Sequence, residues 1–152
     1  MSTKIATALY ERDYNLWLEQ ILQQLRHCAA SGDGAFEGID LKNLIEELES
    51  MGRSEKRAVY SNLKILLMHL LKYKYLPEKR SNSWRSTIRE HRQRLEEAFG
   101  DSPSLRNYFT EVFHSCYRAA RELAAEETGL ALDAFPTEVS EEAVLNPDYL
   151  PE

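Results

Sequence analysis

Apolar side chains recur at spacings of three and four along most of this chain, a period that commits it to amphipathic helices. Tyr14, Trp17, Leu18, Ile21, Leu22, Leu25 and Ala29 form one such face, which predicts a helix from about Asp13 to Ala30. The Asp13 carboxylate can accept from the unpaired backbone donors at its start, and Gly32-Asp33-Gly34 breaks the pattern. Asp40 is the next cap candidate, opening a short helix through Leu41, Leu44, Ile45 and Leu48. That helix is expected to stop at Met51-Gly52, because glycine readily takes the left-handed conformation that ends helices. Ser54 then starts a third helix through Val59, Leu63, Leu66, Leu67 and Leu70 to Tyr75. Its second half is apolar nearly all round, which predicts a central position.

Pro77 ends the third helix, and Ser83 is expected to cap a fourth whose stripe is Trp84, Ile88, His91, Leu95 and Phe99, closed by Gly100. Asp101-Ser102-Pro103 has the order of a cap followed by proline in a first turn, where its missing N–H costs nothing. The fifth helix carries Leu105, Tyr108, Phe109, Val112, Cys116, Ala119 and Leu123 and ends before Gly129. Phe135, Val139, Val144, Leu145, Tyr149 and Leu150 make the remainder too apolar for a free tail, so it is expected to dock, with one turn at Ser140 to Leu145. No alternating strand and no repeat is present. Short links between amphipathic helices favour antiparallel neighbours. The expected architecture is all-α: one domain over residues 1–152, an antiparallel bundle of about five helices. Residues 1–9 form an N-terminal extension, and residues 130–152 a docked, mostly irregular tail.

Composition narrows the function classes. A chain of 152 residues with 43% hydrophobic and 29% charged residues can bury a core without covalent staples. The net charge of −6 gives no global pull toward nucleic acid or anionic lipid. The most apolar run, Ile65 to Met68, is interrupted by His69, far short of the roughly 20 apolar residues of a spanning helix. Ile5 to Leu9 is too short and too polar for a signal-peptide core. Cys28 and Cys116 form no Cys-x-x-Cys motif and are expected to be buried thiols in a reducing, cytoplasmic setting.

Several segments taken together carry a family resemblance. They are Tyr10-x-x-Asp13-Tyr14-x-x-Trp17-Leu18, Asp40-x-x-Asn43-Leu44-Ile45-Glu46-Glu47-Leu48-Glu49-Ser50-Met51-Gly52-Arg53-Ser54 and His69-Leu70-Leu71-Lys72-Tyr73, followed by Ser83-Trp84 with Arg92 and by Asp101-Ser102-Pro103-Ser104-Leu105. Over nearly its whole length the chain resembles the "domain of unknown function 29" family of small bacterial proteins. The resemblance implies a helical fold and a bacterial cytoplasmic setting, and it brings no catalytic residues.

Three groups of residues could carry function. His69 and His91 lie at equal distances from the Pro77 turn if the third and fourth helices form a hairpin, so they are expected side by side. Asp40 and Glu111 fall at similar depth in an up-and-down bundle. Two imidazoles with one or two carboxylates could hold a divalent metal such as zinc or iron, whose bound water could act as a hydrolytic nucleophile. The favoured reading of each histidine is a core position satisfied by a carboxylate, carbonyl or water, since the chain has a single Glu-x-x-His pair where metal-binding bundles often present two. His114, in Glu111-Val112-Phe113-His114, points away from the apolar stripe, and His27 reads as a surface or boundary residue. No cofactor is predicted.

The second group is basic. Residues 72–94 hold eight lysines and arginines against two acids, a net +6 that leaves −12 for the rest of the chain. Arg85, Arg89 and Arg92 share one helix face and could hold phosphates, a nucleic-acid backbone or an acidic partner. No nucleic-acid motif accompanies them. Glu46, Glu47 and Glu49 are too far along the bundle to answer this row and are expected to face Arg53 and Arg57. The third group is aromatic: Leu76-Pro77 with Tyr73 and Tyr75 is the expected exposed cluster beside the basic block.

No phosphate loop, nucleophile elbow or zinc-spaced Cys/His array is present. The expectation is a non-enzymatic helical binding or regulatory module that meets an unidentified protein partner through region 72–94, with no membrane association. The alternatives are a metal-dependent hydrolase at the histidine site, or phosphate and nucleic-acid binding by the arginine row.

Overall fold

A computed structural model describes residues 3–32 and 34–152, and it contains six α-helices and no strand among them. They are α1 (Thr3–Arg12), α2 (Tyr14–Ser31), α3 (Leu41–Tyr75), α4 (Asn82–Asp101), α5 (Leu105–Thr128) and α6 (Glu141–Leu145), with short 3-10 turns at Gly34–Phe36, Pro77–Lys79 and Leu132–Ala134. The all-helical bundle matches expectation. The stretch expected as a simple N-terminal extension is largely helical, since α1 begins at Thr3.

Local signals explain most helix ends. Asp13 caps α2, accepting from Leu16 N at 2.9 Å, and Gly32 ends it in the left-handed conformation at φ 65°. Asp40 caps α3 through Asn43 N. Gly129, at φ 74°, ends α5.

Three boundaries differ from expectation. The second and third predicted helices are one 35-residue helix, α3, roughly 50 Å long at 1.5 Å per residue. Gly52 does not terminate it, because its backbone stays helical and no proline follows to enforce a stop. Ser81, not Ser83, caps α4, accepting from Trp84 N at 3.2 Å. Asp101 is not a cap; it is the last residue of α4, and Ser102 turns the chain.

Three helices surround α3. α2 runs antiparallel to its first half, as the ion pairs Glu19–Lys56 and Arg26–Glu49 show. α4 returns along the second half after the Pro77 turn. α5 runs parallel to α3, with Tyr108 near Lys56, Cys116 near Tyr60 and Glu127 near Lys72. The core lies between α3, α4 and α5: Val59, Leu63, Leu66 and Leu67 meet Ile88, Leu95, Leu105, Phe109, Cys116 and Ala120.

The tail docks, as its apolar content predicted. Phe135 is buried and packs edge-on against Tyr75 at 5.3 Å. The Tyr117 hydroxyl donates to Pro136 O, Arg121 donates to Phe135 O, and Arg92 donates to Val144 O at 2.8 Å. Ser140 caps the single turn of α6.

Candidate functional site

The histidine group is only half assembled. His69 and His91 are neighbours, close enough that the charge of His91 opposes protonation of His69. Each ring is fixed to its own helix: Nδ1 of His69 lies 2.9 Å from Ile65 O and Nδ1 of His91 2.8 Å from Thr87 O. A carbonyl only accepts, so Nδ1 carries the hydrogen in both. Burial pulls His69 below the ordinary value for histidine.

The two carboxylates expected to join them do not. Asp40 caps the same continuous helix that carries His69, so helix rise places them roughly 40 Å apart. Glu111 is exposed on α5 at the level between Lys56 and Tyr60 of α3, roughly 15 Å short of His69 along the axis. The Asp40 expectation failed because it assumed a break at Gly52 and a reversal of direction there. Glu111 fails separately, because it lies only six residues into α5, which starts at the end of the bundle opposite the Pro77 turn. Glu127 is an acid whose charge reaches His69, and Lys72 holds it at 2.7 Å. Among the described residues no three His, Cys, Asp or Glu side chains gather as a metal ligand set.

The aromatic cluster also differs. Tyr73 is 5% exposed, clamped by Arg80, whose guanidinium lies 4.5 Å from the ring centre, and by Arg85, whose Nε donates to its hydroxyl at 3.1 Å. Tyr75 is half-buried against Phe135. The two tyrosines sit at the end of α3 where the Pro77 turn and the tail close over them, so they brace this corner and do not present a surface. Lys72 lies 4.8 Å over the Trp84 ring, which binds the start of α4 to α3.

The arginine row survives in altered form. Arg85 and Arg89 are exposed, while Arg92 is 5% exposed beneath the tail. Together with Ile88, Gln93 and Glu96 they form one wall of an open groove of about 900 Å³. Leu145, Pro147, Asp148 and Leu150 of the tail form the other wall. Other cations meet acids: Arg94 pairs with Glu90 at 2.7 Å, Arg106 with Glu96 at 3.6 Å, and Arg26 and Arg53 both with Glu49. Among the described residues no carboxylate oxygen comes within 4.0 Å of Arg85, Arg89 or Arg92. Of the acidic run, Glu49 reaches Arg53 as expected and Arg26 in addition, while among the described residues no ion pair joins Glu46, Glu47 or Arg57.

Inside the groove Arg92 is held by its Nε bond to Val144 O and by the Tyr149 ring, 6.0 Å from the guanidinium centre. Its Nη2 is buried with no hydrogen-bond partner among the described residues. Burial lowers its pKa from the usual arginine value, with Tyr149 opposing that shift. The tail residues of this groove could not be named from the sequence. Apolar content signalled that the tail docks, but nothing periodic in it shows where.

No curated protein and no solved structure matches the chain. The model of the family described as "Domain of unknown function DUF29" matches residues 9–150, nearly the whole length, and the chain belongs to that family.

Proposed function

We propose that this protein is a non-enzymatic binding module whose groove between α4 and the tail takes an acidic segment of a protein partner. The supporting observation is that Arg85 and Arg89 stand exposed on the groove wall with no carboxylate within 4.0 Å among the described residues, whereas six other cations are paired. Arg89 there offers a planar pair of donors to a carboxylate, and Arg85, whose Nε and Nη1 are held by Tyr73 and Asn82, offers its remaining Nη2. The rest of the lining favours protein over nucleic acid. Leu145, Pro147 and Leu150 offer apolar contact, and Glu96 and Asp148 would repel a continuous run of phosphates. Nucleic-acid affinity comes chiefly from neutralising many phosphates at once, and two arginines between two acids do that poorly. The hydrolytic alternative has no comparable support, because only two of its four residues are neighbours.

The test compares a labelled peptide of alternating glutamate and leucine with single-stranded and duplex oligonucleotides, by fluorescence anisotropy across a salt series. The peptide is expected to bind, with affinity falling as salt rises, and an Arg85→Ala/Arg89→Ala variant is expected to lose that binding. Oligonucleotides binding more tightly than the peptide, or a double variant binding as well as the parent, would overturn the reading.

A further inference from the structure

The groove is partly occupied by the protein itself. Val144 and Pro151 are buried, and between them Leu145 and Tyr149 are half-buried against the core while Asn146, Pro147, Asp148 and Leu150 are exposed, so the segment crosses α4 with most of its length facing outward. This span covers Arg92 and leaves one guanidinium nitrogen buried and unpartnered. A buried donor without an acceptor is a cost that native structures rarely retain. It is relieved when that nitrogen reaches water or an anion. Arg92 lies one turn from Arg89 and two from Arg85 on the same helix face, so uncovering it would extend the exposed pair to three. The tail also carries Asp148 on the groove wall, a carboxylate placed where a partner's acid would approach.

Building on the proposed reading of this groove, we propose that residues 145–150 act as a displaceable strap, and that a carboxylate of the acidic partner takes Nη2 of Arg92 when the strap lifts. Arg85 and Arg89 make the first encounter, and Arg92 completes the site. The free protein therefore binds more weakly than its three arginines allow, because only the fraction with the strap raised presents all of them.

The experiment is residue-resolved hydrogen exchange on the full chain, with and without the glutamate–leucine peptide. The amide of Asn146 donates back into α6, to Glu142 O, and that of Tyr149 donates within the strap, to Asn146 O; both serve as its reporters. Faster exchange of both in the bound state is expected. Tyr149→Ala, which removes the ring against Arg92, is expected to bind the peptide roughly three- to tenfold more tightly. Adding Arg92→Lys, which keeps charge but removes the fork, is expected to cancel that gain. Peptide that binds in an Arg85- and Arg89-dependent way while strap exchange stays unchanged or slows would overturn the strap and leave the groove reading intact. Peptide that fails to bind both the parent and Tyr149→Ala would overturn both.

Discussion

Asp13, at the start of α2, also caps α5 through a residue 91 positions away: its carboxylate accepts from both the backbone N–H and the hydroxyl of Ser104, each at 2.7 Å. The same carboxylate caps its own helix through Leu16 N. Around it, Asn15 N donates to Ser102 Oγ at 2.9 Å and Asn15 Nδ2 to Ser104 Oγ at 3.0 Å. Asp13, Asn15 and Ser102 are all buried. Two of the segments that carry the family resemblance, Asp13-Tyr14 and Asp101-Ser102-Pro103-Ser104, thus meet as one hydrogen-bonded knot tying α2 to the α4–α5 turn. Asp13→Ala removes three charge-assisted bonds and leaves buried donors without partners, so a loss of about 2–3 kcal/mol is expected. Asp13→Asn, which retains one acceptor oxygen, should lose less. Urea unfolding of the two variants beside the parent measures both, and equal stability of Asp13→Ala and parent would count against the knot.

The knot also shows what a sequence can and cannot display. That Asp13 caps α2 is readable, because a cap is a local event within four residues. That it caps α5 is not, because a bond across 91 positions leaves no period in the chain. The helices and the docking of the tail were legible for the same reason as the first cap: apolar spacing reports which faces are buried. Gly52 misled because glycine marks helix ends only where the backbone turns left-handed, and propensity alone does not say where that happens. Once α3 runs through, the approach of Asp40 to the histidines fails with it, while Glu111 fails because it lies too few residues into α5 to reach their level. The arginine row was legible as a face, but the tail that covers Arg92 and spares Arg85 follows a path set by packing.

The two cysteines should differ sharply in reactivity. Cys116 is fully buried, and burial pushes its thiol up to about 12 despite the opposing charge of Lys64. Thiolate is the reactive species, so Cys116 is protected twice, by access and by protonation. Cys28, expected to be buried like Cys116, is only half-buried on α2 and carries a free thiol. A thiol-specific reagent at pH 8 is expected to label Cys28 within minutes and Cys116 only after denaturation, as peptide mass mapping would show. Labelling of both in the native protein would contradict the packing of α5 on α3.

Stability should depend on pH through His69. Burial lowers its pKa below 6.5, helped by Lys72 and His91 and opposed by the Ile65 carbonyl and Glu127. The unfolded chain therefore takes up the proton first as pH falls, so this group subtracts stability on acidification from about pH 7.5 through 6.5. The loss levels off once the folded-state pKa has been passed. His69→Gln keeps a donor for the Ile65 carbonyl but cannot titrate. Its urea midpoint relative to the parent should rise steadily between about pH 7.5 and 5.5. A constant difference across that range would mean that His69 titrates alike in both states.

Two glycines should respond to alanine in opposite directions. Gly52 lies inside α3 with ordinary helical backbone, and a Cβ built there meets nothing within 4 Å. Glycine in a helix interior costs roughly 0.5–1 kcal/mol relative to alanine, through backbone freedom lost on folding. Gly52→Ala is therefore expected to stabilise by about that amount. Gly129 has equal space around it but sits at φ 74°, where it ends α5 with its N–H donating to Ala125 O at 2.9 Å. An L side chain in that conformation is strained by roughly 1–2 kcal/mol, so Gly129→Ala should destabilise despite the open space. Thermal melts of the pair separate crowding from backbone conformation. A stabilising Gly129→Ala or a destabilising Gly52→Ala would show that α3 breaks where its sequence suggested, or that α5 does not end at a left-handed turn.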